Sequence, residues 1–566
     1  MTGKWSKAPV GPHAHRWSTV ADTRKVLFVV HTVASANRLG DLVDLFDSDL
    51  RVQLVHTCPD AASVPAGVEE HLVGRGFAVI TWGQAVNTVW DLVITANTSG
   101  GLHELDGPVV LVSHGIGYTK TIPPGGPEAR RPGGPEARRP GGPEARRPVY
   151  GLSAESLFSG GRLLPSVLVL SHEEQLERLA GSVAAAVERA VVAGDPRFDR
   201  MLASLDERDR YRAALGVGER DTLVVVSSTW WQRSLFGGWP ELLAQLLAEL
   251  PVDRFRVAAV LHPHIWFGHG PAVVRSWLAR CLRAGLLLVP PEEGWSAALI
   301  ASDVVVGDHG AVTTYAAALG RPVLLGAFPA GDVAEGTAVH VVGGVAPRLD
   351  RSRPVRAQVE DVLARRLVDP APVADLVTSV PGKAAHLLRE VCYEALGLPV
   401  PELPVPVPVL PDPVVDGPRG GLAMRVHGTI DPTGVVELAR HPADALLGRG
   451  TAHPLLPETH LVAAADHPLP ELRGGADIVF RRSTDPRWLD TAADRHPFAA
   501  LAAAVTSSTE CVVQVRNGPR AHCRVPPGVD PLLAASALYL LPHHPTSASL
   551  RIRTDNGDAV TVTVNG

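Results

Sequence analysis

Cysteine is scarce in this 566-residue chain: Cys58, Cys281, Cys392, Cys511 and Cys523 stand far apart, with no C-x-x-C pair. An odd number of scattered thiols excludes a disulfide framework, supplies no zinc-ligand spacing and fits a reducing, cytoplasmic compartment. The first residues, MTGKWSKAPVGPHAHRWS, have no apolar core, so no signal peptide is expected. No run of about 18 apolar residues occurs, which excludes a spanning helix and leaves peripheral contact at the inner face of the membrane as the one membrane association open. Strong net charge is missing too: the total is −6, giving no general attraction to nucleic acid. Lysine is nearly absent, five residues against 53 Lys+Arg in total. With abundant Ala, Gly and Pro, that bias reads as GC-rich coding rather than as an arginine recognition surface.

What is present is an ordinary globular composition, 45% hydrophobic and 20% charged, in a chain too long for one core. After a polar leader (1–24), KVLFVVHTV is a run suited to a strand buried on both faces. RVQLVHT, FAVITWG, DLVITAN, VVLVSHG and SVLVLSH repeat the theme, with helical patterns such as EEQLERLAGSVAAAVERA among them. The pattern restarts near 221 with TLVVVSSTW, FRVAAVLHPH, GLLLVPP, DVVVGDHG and PVLLGAF, and KAAHLLREVCYEALG closes it. The fold class is therefore α/β: two Rossmann-like doubly wound domains, 25–216 and 217–397, facing a cleft in the GT-B layout. A proline-rich, semi-rigid linker (398–419) leads to a small α+β domain (420–566), in which HPFAALAAAV reads as helix. Asp555-Asn556-Gly557 there signals a hairpin.

Ligands of such sheets bind at the carboxyl ends of the strands, and five strand ends here carry polar residues. In VSHGIGYTK, His114 precedes Gly115 in a turn; an imidazole there suits proton abstraction, and the plainer role is to bond the loop backbone. In GDPRFD, Asp195 and Pro196 read as a helix start. In VVSSTWWQRS, Ser227, Ser228 and Thr229 could meet an anion or cap a helix. In VLHPH, His262 ends a strand; it shares a face with His264, but no carboxylate or cysteine stands at ligand spacing, so no metal is expected. In GDHGAVTTY, Asp308 and His309 end a strand, and Thr313 and Thr314 lie in the first turn of a helix whose amide end is a ready phosphate site.

Taken in order over roughly residues 25–395, these motifs resemble the CDP-glycerol glycerophosphotransferase family, GT-B enzymes that build teichoic acids. The His-Gly turn followed by lysine matches His114, Gly115 and Lys120. Gly-x-Pro-Arg-x-Asp matches Gly194, Pro196, Arg197 and Asp199. A Pro-Thr-Trp-Arg-like segment matches Thr229, Trp230 and Arg233, and the strand-end His-Pro matches His262 and Pro263. The family's Thr-Asp-Tyr-Ser-Ser is kept only at Asp308, with His309, Gly310 and Ala311 in the other places. The resemblance implies a transferase of cell-envelope polymer synthesis using a nucleotide-diphospho donor as substrate and no separate cofactor. His114 would be general base toward a hydroxyl acceptor, a lipid-linked one among the candidates. Gly115 and Lys120 would lie on the acceptor side; Thr229, His262, Asp308, His309, Thr313 and Thr314 would hold the donor. The lost serines set a nucleotide-sugar donor beside the nucleotide-polyol. Two rivals stay open: a nucleotide-sugar 2-epimerase-like enzyme, which normally carries Asp-Ser-Gly-Gly and glutamates at this turn, and a GT-B scaffold that binds nucleotide without turnover.

Behind the His114 turn, GGPEARRP is written three times over 125–148. Glycine, proline and charge leave nothing to bury, so residues 121–148 are expected to form a disordered loop. The repeat reads as a slippage insertion, with arginines able to reach a phosphate-bearing acceptor or an anionic membrane surface.

Overall fold

A computed structural model of the protein describes residues 5–11, 14–59, 67–113, 115–122, 148–365, 369–417, 421–447, 459–545 and 547–566. His114 and nearly all of the repeat lie outside these residues.

The first half contains β1 (Arg24–Val29), β2 (Val52–Thr57), β3 (Val79–Ile80), β4 (Leu92–Thr95) and β5 (Val109–Leu111). A short hairpin of β6 (Phe158–Ser159) and β7 (Arg162–Leu163) precedes β8 (Val167–Leu170) and β9 (Ala190–Val192). Its parallel sheet has the order β3-β2-β1-β4-β5-β8-β9. Leu27, Phe28, Val29 and Val30 are fully buried, so β1 needs cover on both faces, and only helices packed above and below the sheet supply it. The second half repeats the plan with β10 (Thr222–Ser228), β11 (Phe255–Leu261), β12 (Leu287–Val289), β13 (Val304–Gly307) and β14 (Val323–Leu325), in the order β12-β11-β10-β13-β14. Both are Rossmann-like sheets whose strand order reverses beside the first strand.

The helix Ala384–Leu396, which the sequence order assigns to the second half, packs instead into the core of the first. Arg389 donates to the Leu45 carbonyl, and the Tyr393 hydroxyl donates to Asp49. The proline-rich stretch then follows the protein surface: Tyr211 donates to the Leu410 carbonyl, Leu410 is buried in the second half, and Asp416 pairs with Leu288 at the edge of the sheet.

The C-terminal region is a closed barrel rather than a simple α+β unit. It comprises β15 (Ala423–Ile430), β16 (Val435–Pro442), β17 (Thr459–Ala464), β18 (Ile478–Arg482), β19 (Leu501–Val505), β20 (Glu510–Val515), β21 (Arg520–Arg524), β22 (Ala548–Arg553) and β23 (Ala559–Asn565). The helix Leu532–Leu540 is apolar on every side and touches strands all round the barrel, so it fills the interior. HPFAALAAAV, expected as helix, supplies β19. Its alanines face the inner helix on one side and an outer apolar layer on the other, and that two-sided burial outweighs alanine's helix preference. The hairpin at Asp555–Gly557 forms as expected between β22 and β23, with Gly557 in the left-handed region.

The barrel docks where β11 begins. Arg440 pairs with Asp253 and Asp530, and the Val252 amide donates to the Arg440 carbonyl. Seven strand residues separate this contact from the cleft end of β11, about 20 Å. Among the described residues no helix is long and apolar enough to cross a membrane.

Two buried histidines contribute to the acid sensitivity of the fold. His56 is sandwiched between Phe28 and Phe77, with ring centroids 5.0 and 4.3 Å away. His460 lies inside the barrel 3.1 Å from the Ser536 hydroxyl. Burial pushes each down to about 4, with Arg75 adding to the effect at His56 and Asp477 opposing it at His460. The unfolded chain therefore binds protons below its ordinary 6.5 that the folded chain does not. Their stabilising contribution is complete above pH 6.5 and is lost as pH falls toward 4. Each histidine is expected to remove about 2 kcal/mol between pH 7 and pH 5. Urea titrations of wild type and His56→Phe at both pH values check this. A wild-type fall that His56→Phe does not reduce contradicts it.

Candidate functional site

Beyond β5 the chain runs through Val112 and Ser113, and after position 114 it turns over residues 115–117. The Gly117 amide donates to the Gly115 carbonyl at 2.8 Å, with Gly117 at φ +70, where a side chain would be strained. Ile116 is buried in the core of the second half, not of the first. A Cβ on Gly115 would stand 3.7 Å from that of Ala311, so the turn rests on the start of the helix Ala311–Ala318. The next residues are paired to the second half. The Ala334 amide donates to the Thr119 carbonyl at 2.9 Å, the Thr121 amide to the Asp332 carbonyl at 3.0 Å, and Lys120 bridges Val333. Lys120 is exposed to solvent. Crowding pushes its ammonium pKa down against the pull of Asp308 and Asp332. Among the described residues that ammonium has no ion-pair partner.

The second half meets this turn with the ends of β10, β11 and β13. Asp308, 1% exposed, is enclosed by donors. Its Oδ2 accepts from the Thr229 amide and hydroxyl, both at 2.8 Å, and from the Leu235 amide at 2.9 Å. Its Oδ1 accepts from the Gly310 amide at 3.1 Å. Thr313 accepts from the Asp308 amide, and the Thr314 hydroxyl donates to the Gly310 carbonyl. Both threonines are buried. Asp308, Thr229, Thr313 and Thr314 thus come together, and their side chains are bonded within the loop. The helix Ala311–Ala318 that follows starts without a side-chain cap. Gly310 is required there, because a Cβ would lie 2.5 Å from the Thr229 methyl group.

His309 is half-buried beside this helix end, and its Nδ1 is buried without a hydrogen-bond partner among the described residues. Burial lowers its pKa, and Asp308, Lys120, Asp332 and Arg233 lie near enough to act on it. Arg233 pairs with Asp332 at 2.7 Å.

At the end of β11, His262 accepts from the His264 amide at 3.1 Å and caps the helix Pro263–His269. Its ring begins a ladder. His264 lies 4.9 Å from His262, Trp230 stacks on His264 at 4.6 Å, and Trp231 stacks on Trp230 at 5.2 Å. Burial, reinforced by Lys120, pushes His264 down to about 4, so its ring is neutral at neutral pH. Trp231 is 64% exposed and adopts φ +87, a region costly for a bulky side chain. The Ser234 amide and hydroxyl hold its carbonyl there. Trp231 follows Trp230 directly, and the family motif covers only the first of the pair. The signal for the second is the doubled tryptophan directly after a buried strand.

GDPRFD serves as the join between the halves. Asp195 caps the helix Pro196–Ala203, with Pro196 in its first turn. Arg197 pairs with Asp41 at 2.8 Å and with Glu293 of the second half at 3.1 Å. Asp199 accepts from the Gly382 and Ala384 amides, at 2.7 and 2.9 Å, where the crossing helix starts.

No protein-family model matches this chain, and no curated protein matches it. Among solved structures it is similar to the wall teichoic acid polymerase TagF, at 13% identity over 67% of this chain and 90% of that one, TM-score 0.44. It is also similar to Methanocaldococcus jannaschii UDP-GlcNAc 2-epimerase in complex with UDP-GlcNAc and UDP, at 11% identity over 65% and 99% of the two chains, TM-score 0.40. Anabaena HepE in complex with UDP-glucose gives 13% identity over 66% and 99%, TM-score 0.37. These are distant likenesses, of architecture alone.

Proposed function

We propose that the chain is a GT-B transferase that moves a sugar or polyol-phosphate unit from a nucleotide-diphospho donor to an acceptor hydroxyl, in the synthesis of a cell-envelope polymer. One observation carries this reading. The turn after β5 is paired onto the second half so that Lys120, without a carboxylate partner among the described residues, stands with His264 and His309 by the uncapped start of the helix Ala311–Ala318. A lysine and a helix amide end converging between two Rossmann-like sheets form a site for a diphosphate.

In this reading the donor's diphosphate lies between Lys120 and the helix start, with His262 and His309 alongside. His114 takes the proton of the acceptor hydroxyl. The acceptor oxygen bonds the transferred carbon or phosphorus, the bond to the leaving phosphate oxygen breaks, and the nucleotide departs with the negative charge. Lys120 and the helix dipole stabilise that charge, and closure of the two halves sets the geometry. Asp308, Thr313 and Thr314 act by shaping the loop. The exposed face of Trp231 offers a stacking surface for the donor's base at the mouth of the site.

Nucleoside diphosphates are expected to raise the melting temperature and to quench tryptophan fluorescence. Trp231→Ala is expected to weaken their binding by about 1 kcal/mol, roughly fivefold. If neither CDP nor UDP shifts either signal at millimolar concentration, the donor site is not there. A second reading, nucleotide binding without transfer, is favoured by the enclosure of the Asp308 carboxylate, which leaves no side-chain acid on this loop for chemistry. Binding without nucleotide release in the presence of acceptors would select it.

A further inference from the structure

Four buried residues link the helix Ala311–Ala318 to the turn that carries His114. The Tyr315 hydroxyl, one helical turn in from the helix start, donates to Asp195 Oδ2 at 2.6 Å. Asp195 Oδ1 accepts from Arg38 Nη1 at 2.5 Å. Arg38 then donates from Nε to the Ser113 carbonyl at 3.3 Å and from Nη2 to the Ser113 hydroxyl at 3.2 Å. The Ser113 hydroxyl donates in turn to the Gly115 carbonyl at 3.1 Å. Asp195 and Tyr315 are 0% and 2% exposed, and Arg38 and Ser113 are buried with them. Burial and the adjacent Asp195 hold the Tyr315 phenol well above its usual pKa, so it remains a donor.

We infer that Tyr315, Asp195 and Arg38 are positioning residues: they transmit the placement of the donor-side helix to the backbone on both sides of His114. Asp195 is fixed in the first half, because its Oδ1 also accepts from the Arg197 and Phe198 amides. The guanidinium spans from that carboxylate to Ser113, and its planar fork allows little play. Tyr315 is the one member from the second half. In a dry network each bond polarises the next, and a missing member leaves a buried partner unsatisfied. The turn is therefore ordered when the helix is seated against the first half and looser when it is not. This couples acceptor activation to closure on the donor. Its catalytic consequence rests on the function proposed above; the coupling itself does not.

Tyr315→Phe removes one hydroxyl and keeps the ring. Amide hydrogen exchange over residues 115–122 is expected to rise about tenfold, with β10 unchanged. Turnover is expected to fall roughly ten- to a hundredfold, while nucleotide affinity stays within about threefold. Tyr211→Phe is the control: it also loses a buried phenol hydroxyl bond, to the Leu410 carbonyl, but lies outside the network. It should leave exchange at 115–122 as in wild type. Exchange at 115–122 that is wild-type in Tyr315→Phe, or equally raised in Tyr211→Phe, overturns the proposal. So does a loss of nucleotide affinity parallel to the loss of turnover. Should Tyr315→Phe not fold, Arg38→Lys decides. It keeps a cation for Asp195 but loses the fork to Ser113, and it must loosen the same segment. If the wild type releases nucleotide from no donor, the function fails, and the exchange measurements still decide the coupling.

Discussion

His114→Ala is expected to lower turnover roughly 10²- to 10⁴-fold while leaving nucleotide affinity within about twofold. The asymmetry follows from the proposed division of roles. His114 comes between Ser113, which Arg38 holds to the first half, and Gly115, which rests against Ala311. The groups proposed to hold the diphosphate are others, Lys120 and the amides of the helix start, so the imidazole is not needed for nucleotide binding. An imidazole is the side chain suited to accept a proton from an alcohol at neutral pH. Removing it leaves the donor bound and the acceptor hydroxyl protonated. Single-turnover nucleotide release, beside a nucleotide titration, separates the two effects. Turnover retained in the variant removes His114 as the base.

Asp308→Ala is expected to cost on the order of 5 kcal/mol of the second half's stability. The carboxylate accepts from the Thr229 amide and hydroxyl and from the Leu235 and Gly310 amides, where water does not reach. Each buried donor left unsatisfied costs about 1–3 kcal/mol, and four together approach the whole stability of a domain. Asp308→Asn keeps the shape but turns an NH₂ toward some of these donors, so it should also be strongly destabilised. Urea unfolding monitored at Trp239 and Trp266, both buried in the second half, reads the loss. A variant of wild-type stability that no longer binds nucleotide would return Asp308 to a direct role at the donor.

The sheets were legible in the sequence, and the roles at their ends were not, for one physical reason. A strand buried on both faces announces itself locally, as Leu27–Val30 and Val224–Val226 do. Whether a strand-end polar group faces ligand or protein depends on a partner the local sequence does not contain. Asp308 meets Thr229 across 79 positions, and Tyr315 meets Asp195 across 120. Polar residues at the five strand ends therefore marked where a site could form. Thr229, Asp308, Thr313 and Thr314 are buried, with their side chains bonded within the loop, whereas Lys120, His262 and His309 keep exposure. The barrel was illegible for the same reason. It closes through pairings such as β15 with β17 and β16 with β22, and its alanine-rich strand is set by the helix inside it.

The central claim, group transfer from a nucleotide-diphospho donor, is tested most directly by nucleotide release. Full-length protein is incubated with CDP-glycerol or UDP-sugars, with and without hydroxyl acceptors. The expected result is release of free nucleotide that requires both an acceptor and His114. Saturable nucleotide binding with no release across the panel, or release that is independent of acceptor and unchanged in His114→Ala, would contradict it.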